Sequence, residues 1–261
     1  SQLVYGAFGG LRSNRYEIRI RDLATGEEKA LPVDSKEFGQ SPRISPDGMV
    51  VSYRDLRNGA VRTFVMSTRE TAGREACDSC EILGFFGDPR FALVADAAEG
   101  LSKLDLSTGQ RTPVLKAAEG QISEPAVSPD DRWVAFVRAK ANGRGALLIA
   151  PLVAGPAEPK DWITLCDEDR FLGSPAWSPN GRWLYYLSER DGSCKVWGQA
   201  LEAASKRPVG DPRIVFDGRP FGFDLNMPRG NGTVAVGGGR LVVWAGEATG
   251  NIYMAAPTRA K

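Results

Sequence analysis

The chain has 261 residues, of which 42% are hydrophobic and 25% charged, and a net charge of +1; this composition excludes intrinsic disorder and, with no sustained Lys/Arg run, a nucleic-acid groove or polybasic membrane surface. Histidine is absent, so no Ser-His-Asp or Cys-His nucleophile pair, His general base or His-ligated zinc can be built. The longest apolar run, 146–154, contains Pro151 and is too short for a membrane-spanning helix.

Taken in chain order, Leu3 to Phe8, Tyr16 to Asp22 and Glu28 to Leu31 read as strands b, c and d of a unit that lacks its inner strand a. A phrase then recurs three times: Ser41-Pro-Arg-Ile-Ser-Pro-Asp-Gly48, Glu124-Pro-Ala-Val-Ser-Pro-Asp-Asp131 and Ser174-Pro-Ala-Trp-Ser-Pro-Asn-Gly181. Each copy is a short strand and a tight turn, followed by a strand of β-branched and aromatic residues. Pro presets the first turn position, Asp or Asn bonds back to its own backbone, and Gly accepts positive φ. The wide gap between the first two copies predicts a degenerate one at a period of about 42 residues, the length of a four-stranded propeller blade. Ile82-Leu-Gly-Phe-Phe-Gly-Asp-Pro-Arg90, followed by the strand Phe91 to Asp96, fills that gap. A fifth copy reads Thr233-Val-Ala-Val-Gly-Gly-Gly-Arg240 and continues into Leu241 to Trp244, with Asn251 to Ala255 as a strand c that no d follows. The stretch from Asp217 to Gly232, rich in Gly, Pro, Arg and Asn, reads as an irregular loop. The count is four complete units and two incomplete ones. The expectation is a single domain over 1–261: an all-β, six-bladed β-propeller of four-stranded antiparallel blades, with the terminal blades incomplete.

The Ser-Pro-Asp-Gly turn before Arg-Trp, with hairpins such as Ser188-Glu-Arg-Asp-Gly192, resembles the propeller repeat of TolB-like (WD40-like) proteins. Cys77-Asp-Ser-Cys80, Asp161-Trp-Ile-Thr164, Lys206-Arg-Pro-Val-Gly210 and Gly246-Glu-Ala-Thr-Gly-Asn-Ile-Tyr253 resemble propeller segments carried C-terminal to bacterial serine/threonine kinases and winged-helix regulators. The resemblance covers essentially the whole chain. It implies a binding platform, with any kinase or DNA-binding region upstream of these residues.

By propeller topology the four cysteines share the face opposite the Pro-Asp-Gly turns. A four-thiolate zinc site would need residues from distant blades, and a thioredoxin-like Cys-x-x-Cys would need a helix start. The sequence favours structural disulfides, or plain buried thiols. If bonded, Cys166 and Cys194 close a loop of about 30 residues, worth about 3 kcal/mol in chain entropy, whereas Cys77 and Cys80 pair within their own crossing. An even number of cysteines with such pairings points to an oxidising, extracytoplasmic or periplasmic compartment.

The resulting functional expectation is a non-catalytic sensor or scaffold propeller, the extracytoplasmic part of a larger bacterial signalling protein, monomeric and without a cofactor or metal. The chain opens on Ser1 without Met or signal peptide, and is read as a mature or excised piece. A protein or small-molecule ligand is expected at the loop face, where Arg219, Asp224, Asn226 and Arg229 would border the mouth of the channel. The alternatives are a metal-dependent, lactonase-like propeller enzyme and the substrate-gating propeller of a prolyl-oligopeptidase-type hydrolase.

Overall fold

The computed structural model describes residues 2–8, 16–33, 40–57, 59–77, 80–95, 100–116, 121–139, 145–152, 155–225, 233–237 and 239–246. Its strands form successive antiparallel sheets. The first is β1 (Gln2–Phe8), β2 (Tyr16–Asp22) and β3 (Glu28–Ala30). The second is β4 (Gln40–Ile44), β5 (Val50–Arg57), β6 (Ala60–Ser67) and β7 (Arg74–Cys77). The third is β8 (Ile82–Phe85), β9 (Phe91–Ala95), β10 (Leu101–Asp105) and β11 (Arg111–Leu115). The fourth is β12 (Gln121–Val127), β13 (Trp133–Ala139), β14 (Gly145–Pro151) and β15 (Ile163–Glu168). The fifth is β16 (Leu172–Trp177), β17 (Trp183–Ser188), β18 (Lys195–Leu201) and β19 (Pro208–Phe216). A hairpin of β20 (Val234–Gly237) and β21 (Arg240–Val243) follows.

Neighbouring sheets meet through their inner strands: β1 lies beside β4, then β4 beside β8, β8 beside β12, β12 beside β16 and β16 beside β20. The hairpin returns to the start of the chain, where Arg240 donates to the Leu23 carbonyl. The fold is therefore a β-propeller, as the repeat predicts. The blade count differs. Five blades of three or four strands are formed, not six, because the sixth position holds only the two strands β20 and β21 among the described residues. The strand expected at 251–255 lies outside those residues. The N-terminal unit is read correctly: Gln2 reaches the first turn at Gly48, so β1 starts on the turn face and runs as a second strand does.

Each strand serves two cores because its side chains alternate in direction. On β13, Val134 and Phe136 pack toward the third sheet with Leu93, Leu101 and Leu148. Ala135 and Val137, between them, pack toward the fifth with Leu147, Leu184 and Tyr186. Apolar residues on both faces thus place a hydrophobic core at each junction between consecutive sheets, instead of one core for the whole molecule.

The repeated turn is held by its own side chains. The buried hydroxyl of Ser178 donates to Asn180 Oδ1 at 2.8 Å and accepts from the Trp183 N–H at 2.9 Å. Ser45 makes the same pair of bonds to Asp47 and Val50, and Ser128 to Asp130 and Trp133. The fourth turn position is left-handed at Gly48, Asp131 and Gly181. Only in the second of these does a side chain sit there, and the Asp131 carboxylate accepts the Gly87 N–H at 2.8 and 2.9 Å. Gly87 belongs to the degenerate turn of the preceding blade, which lacks the serine.

One local feature runs against the sequence. Ser41, Glu124 and Ser174, each directly before a proline on an inner strand, have φ of 54°, 50° and 52°. The ladder skips there, between Gln40 and Arg43, Ser123 and Ala126, and Gly173 and Ala176. A residue before proline prefers extended backbone. Holding it left-handed costs on the order of 1–3 kcal/mol per site, which the surrounding sheet must offset.

Candidate functional site

The loop that the sequence nominates begins where β19 ends. A single 3-10 turn spans Arg219–Phe221 and closes at Gly222, whose φ of 76° suits glycine. Asp224 and Gly246 exchange backbone hydrogen bonds of 2.9 and 3.1 Å, which tie this crossing to the chain leaving β21. Of the four nominated residues, Arg219 and Asp224 are brought to this crossing, and Asn226 and Arg229 lie outside the described residues. Arg219 is engaged locally: its Nη2 meets Asp217 Oδ2 at 2.7 Å, and Lys195 Nζ stands 3.7 Å from the same oxygen. The Arg219 hydrogen bond, ahead of the remaining influences, holds the Asp217 carboxyl at about 2. The guanidinium is thus committed to Asp217.

What the loop presents instead is apolar. Phe221 is 66% exposed, Trp244 46% and Phe223 37%. Phe221 stacks on Phe216 with ring centroids 6.1 Å apart, and Val215 lies exposed next to it on β19. Six of the seven exposed large hydrophobic side chains among the described residues fall between Val209 and Trp244. Val209 stands at the opposite end of β19 from Phe216, so the exposed apolar groups that adjoin this crossing are Val215, Phe221, Phe223 and Trp244. The sequence reading weighed only the polar residues of this loop and passed over its aromatics.

The cysteines divide. Cys77, which ends β7, is bonded to Cys80 in the crossing to β8, with Cα atoms 5.9 Å apart. Cys166 and Cys194 are free and buried, which corrects the bridge expected between them. The reason is the alternation of faces. Cys166 lies inside β15 and packs with the core between the fourth and fifth sheets, whereas Cys194, just ahead of β18, packs with the core between the fifth sheet and the hairpin. The fifth sheet stands between them. Burial pushes both thiols up to about 12, so neither is a nucleophile near neutral pH.

A second polar cluster, which the sequence analysis did not single out, lines the inner strands. Arg43 on β4 donates from Nε to the Leu83 carbonyl of β8 at 3.2 Å, and from Nη1 to its neighbour Pro42 at 3.4 Å. Glu124 on β12 accepts the Ser174 N–H of β16 at 2.5 Å. The Ser174 hydroxyl in turn accepts the Val234 N–H of β20 at 2.7 Å. Arg43 and Glu124 are open to water yet closely surrounded by protein. Desolvation is accordingly the largest influence on both, raising the Glu124 carboxyl and lowering the Arg43 guanidinium. Each also feels the other's charge, and Arg43 that of Glu81, while Glu81 is paired with Arg54 at 3.1 Å. The available signal was positional: Glu124 stands where the other copies have Ser41 and Ser174, and Arg43 where they have Ala126 and Ala176. Among the described residues no three Cys, Asp or Glu side chains converge to hold a metal ion, and no helix is long and apolar enough to cross a membrane.

No family model and no curated protein matches the chain. Solved structures do. TolB from Acinetobacter baumannii is similar with a TM-score of 0.61 at 16% identity, covering 82% of this chain and 53% of its own. A protein described as TolB from Agrobacterium tumefaciens gives 0.62 at 17% identity, over 83% of this chain and 76% of its own. The tricorn protease gives 0.62 at 13% identity, over 93% of this chain and 24% of its own. The chain thus spans about half the length of the Acinetobacter TolB. At these identities the likeness establishes the all-β propeller fold and nothing beyond it.

Proposed function

We propose that this chain is a non-catalytic propeller that binds a protein partner at its loop face, as a sensor or scaffold module in the extracytoplasmic part of a larger bacterial signalling protein. The observation that carries the reading is the exposure of Phe221, Phe223 and Trp244 on the two segments that the Asp224–Gly246 bridge joins. Aromatic side chains dominate binding energy at protein interfaces, and truncating a central one costs about 2 kcal/mol or more. The Cys77–Cys80 disulfide supports an oxidising compartment, and the likeness to TolB supports a binding propeller.

The test is site-specific photo-crosslinking in the native host, with the crosslinker at Phe221 and, on the turn face, at Arg132. A discrete adduct from position 221 that is absent from 132 and lost on Trp244→Ser is the expected result. Equal adducts from both faces, or none from 221, would refute it. The likeness to the tricorn protease supports a second reading, a propeller that gates substrate for a hydrolase domain encoded beside it. Peptide hydrolysis that tracks the length of the flanking polypeptide would favour it over the first.

A further inference from the structure

The inner ring carries chemistry that the loop face does not use. Three features of the repeat converge there. Glu124 and Arg43 are opposite charges at positions where the other copies hold serine and alanine. The blade between them departs as well: β8 offers Gly84, and nothing lies within 4 Å of where a side chain would begin. Finally, Ser41, Glu124 and Ser174 are held left-handed at one level of the ring, and backbone held out of its preferred region collects at functional sites.

The two charges are oriented but not joined. Arg43 is fixed through Nε and Nη1 by backbone carbonyls, which leaves the Nη2 side of a planar donor fork, the geometry that suits a carboxylate. The Glu124 carboxylate is fixed by the Ser174 N–H at one oxygen, which leaves the other as an acceptor for an ammonium group. A direct ion pair would have satisfied both within the protein. Here a guanidinium on β4, bonded to the β8 backbone, and a carboxylate on β12, bonded to the β16 backbone, stand unpaired on the inner ring, and Gly84 on the strand between them contributes no side chain.

We propose that this ring is a receptor for a small zwitterion, a free amino acid or short peptide, whose carboxylate meets Arg43 and whose ammonium meets Glu124. The ring is separate from the aromatic loop face, and either assignment can stand without the other.

The test is calorimetric titration of the intact chain with glycine, β-alanine, diglycine and triglycine, which step the distance between the two charges. Their N-acetylated and C-amidated forms each carry one charge only. Saturable one-to-one binding of at least one zwitterion is expected, with both blocked forms weaker by about tenfold or more, the loss of one charge-assisted contact. Glu124→Gln keeps an acceptor for Ser174 and should weaken binding to the same extent. Arg43→Lys, which keeps the charge without the fork, should weaken it less than Arg43→Gln. Phe221→Ser should leave it unchanged. The proposal is overturned if no zwitterionic probe binds saturably, if the blocked forms bind as well as the parent, or if Glu124→Gln has no effect.

Discussion

Replacing Ser178 by alanine isolates what the repeated turn contributes. The hydroxyl accepts the Trp183 N–H at 2.9 Å and donates to Asn180 at 2.8 Å, and Ser178 is buried. Removing it takes from the Trp183 N–H the acceptor that it has in the turn. An unsatisfied buried donor costs about 1–3 kcal/mol, so a loss of about 2 kcal/mol is expected for Ser178→Ala. In a domain of this size that corresponds to a fall in Tm of about 4–8 °C. Because Ser45 and Ser128 make the same bonds, Ser45→Ala and Ser128→Ala should match it. Ser178→Thr retains the oxygen and should lose less. Urea unfolding followed by tryptophan fluorescence provides the assay, with an unchanged m-value showing that stability alone has moved. A loss under about 0.5 kcal/mol, the range of neutral surface changes, or an equal loss in the threonine variant, would refute the side-chain account of the turn.

Thiol titration should find no reactive thiol in the native protein, two after denaturation without reductant and four after reduction, because Cys166 and Cys194 are buried with thiols near 12 and Cys77 is bonded to Cys80; four before reduction would contradict the disulfide. Glu124, whose carboxyl is raised by desolvation, binds its proton more readily folded than unfolded, so its contribution to stability falls as pH rises from the ordinary carboxylate value through the raised one. Glu124→Gln should therefore gain in urea midpoint over the parent at neutral pH and lose that gain in acid, and a gain independent of pH would exclude ionisation as the cause. Gly173→Ala places a Cβ 3.1 Å from both Glu124 Oε1 and the Phe171 ring. It should destabilise by about 1–3 kcal/mol and weaken zwitterion binding in the same titration.

The turns were legible because their chemistry is local: a serine, a proline, an Asp or Asn and a glycine specify the bend whatever surrounds it. The strands followed from β-branched and aromatic residues bounded by those turns, and β13 and β17 lie close to where the pattern puts them. The bulges at Ser41, Glu124 and Ser174 were not legible. Local preference before proline opposes them, and only the packing of inner strands around an axis enforces them. The separation of Cys166 from Cys194 was hidden for a related reason. Loop order places the two on one face of the ring, but strand pleating decides which side of the fifth sheet each one enters. At the nominated loop, Arg219 is spent on Asp217, and the exposed aromatics beside it were not weighed because the reading looked only for polar residues.

The contact between Asp131 and Gly87 bears on how freely the units of this ring can be exchanged. One turn has no serine to fasten it, and its neighbour has a carboxylate where glycine would be easier on the backbone, so a single side chain answers both irregularities. Neither unit is therefore a spare copy of the other. Duplicating the fourth unit would leave an aspartate with nothing to hold, and transplanting the third next to a regular neighbour would leave a turn unfastened. The order of the blades is written into their imperfections, and recombination at this joint would have to carry both units together.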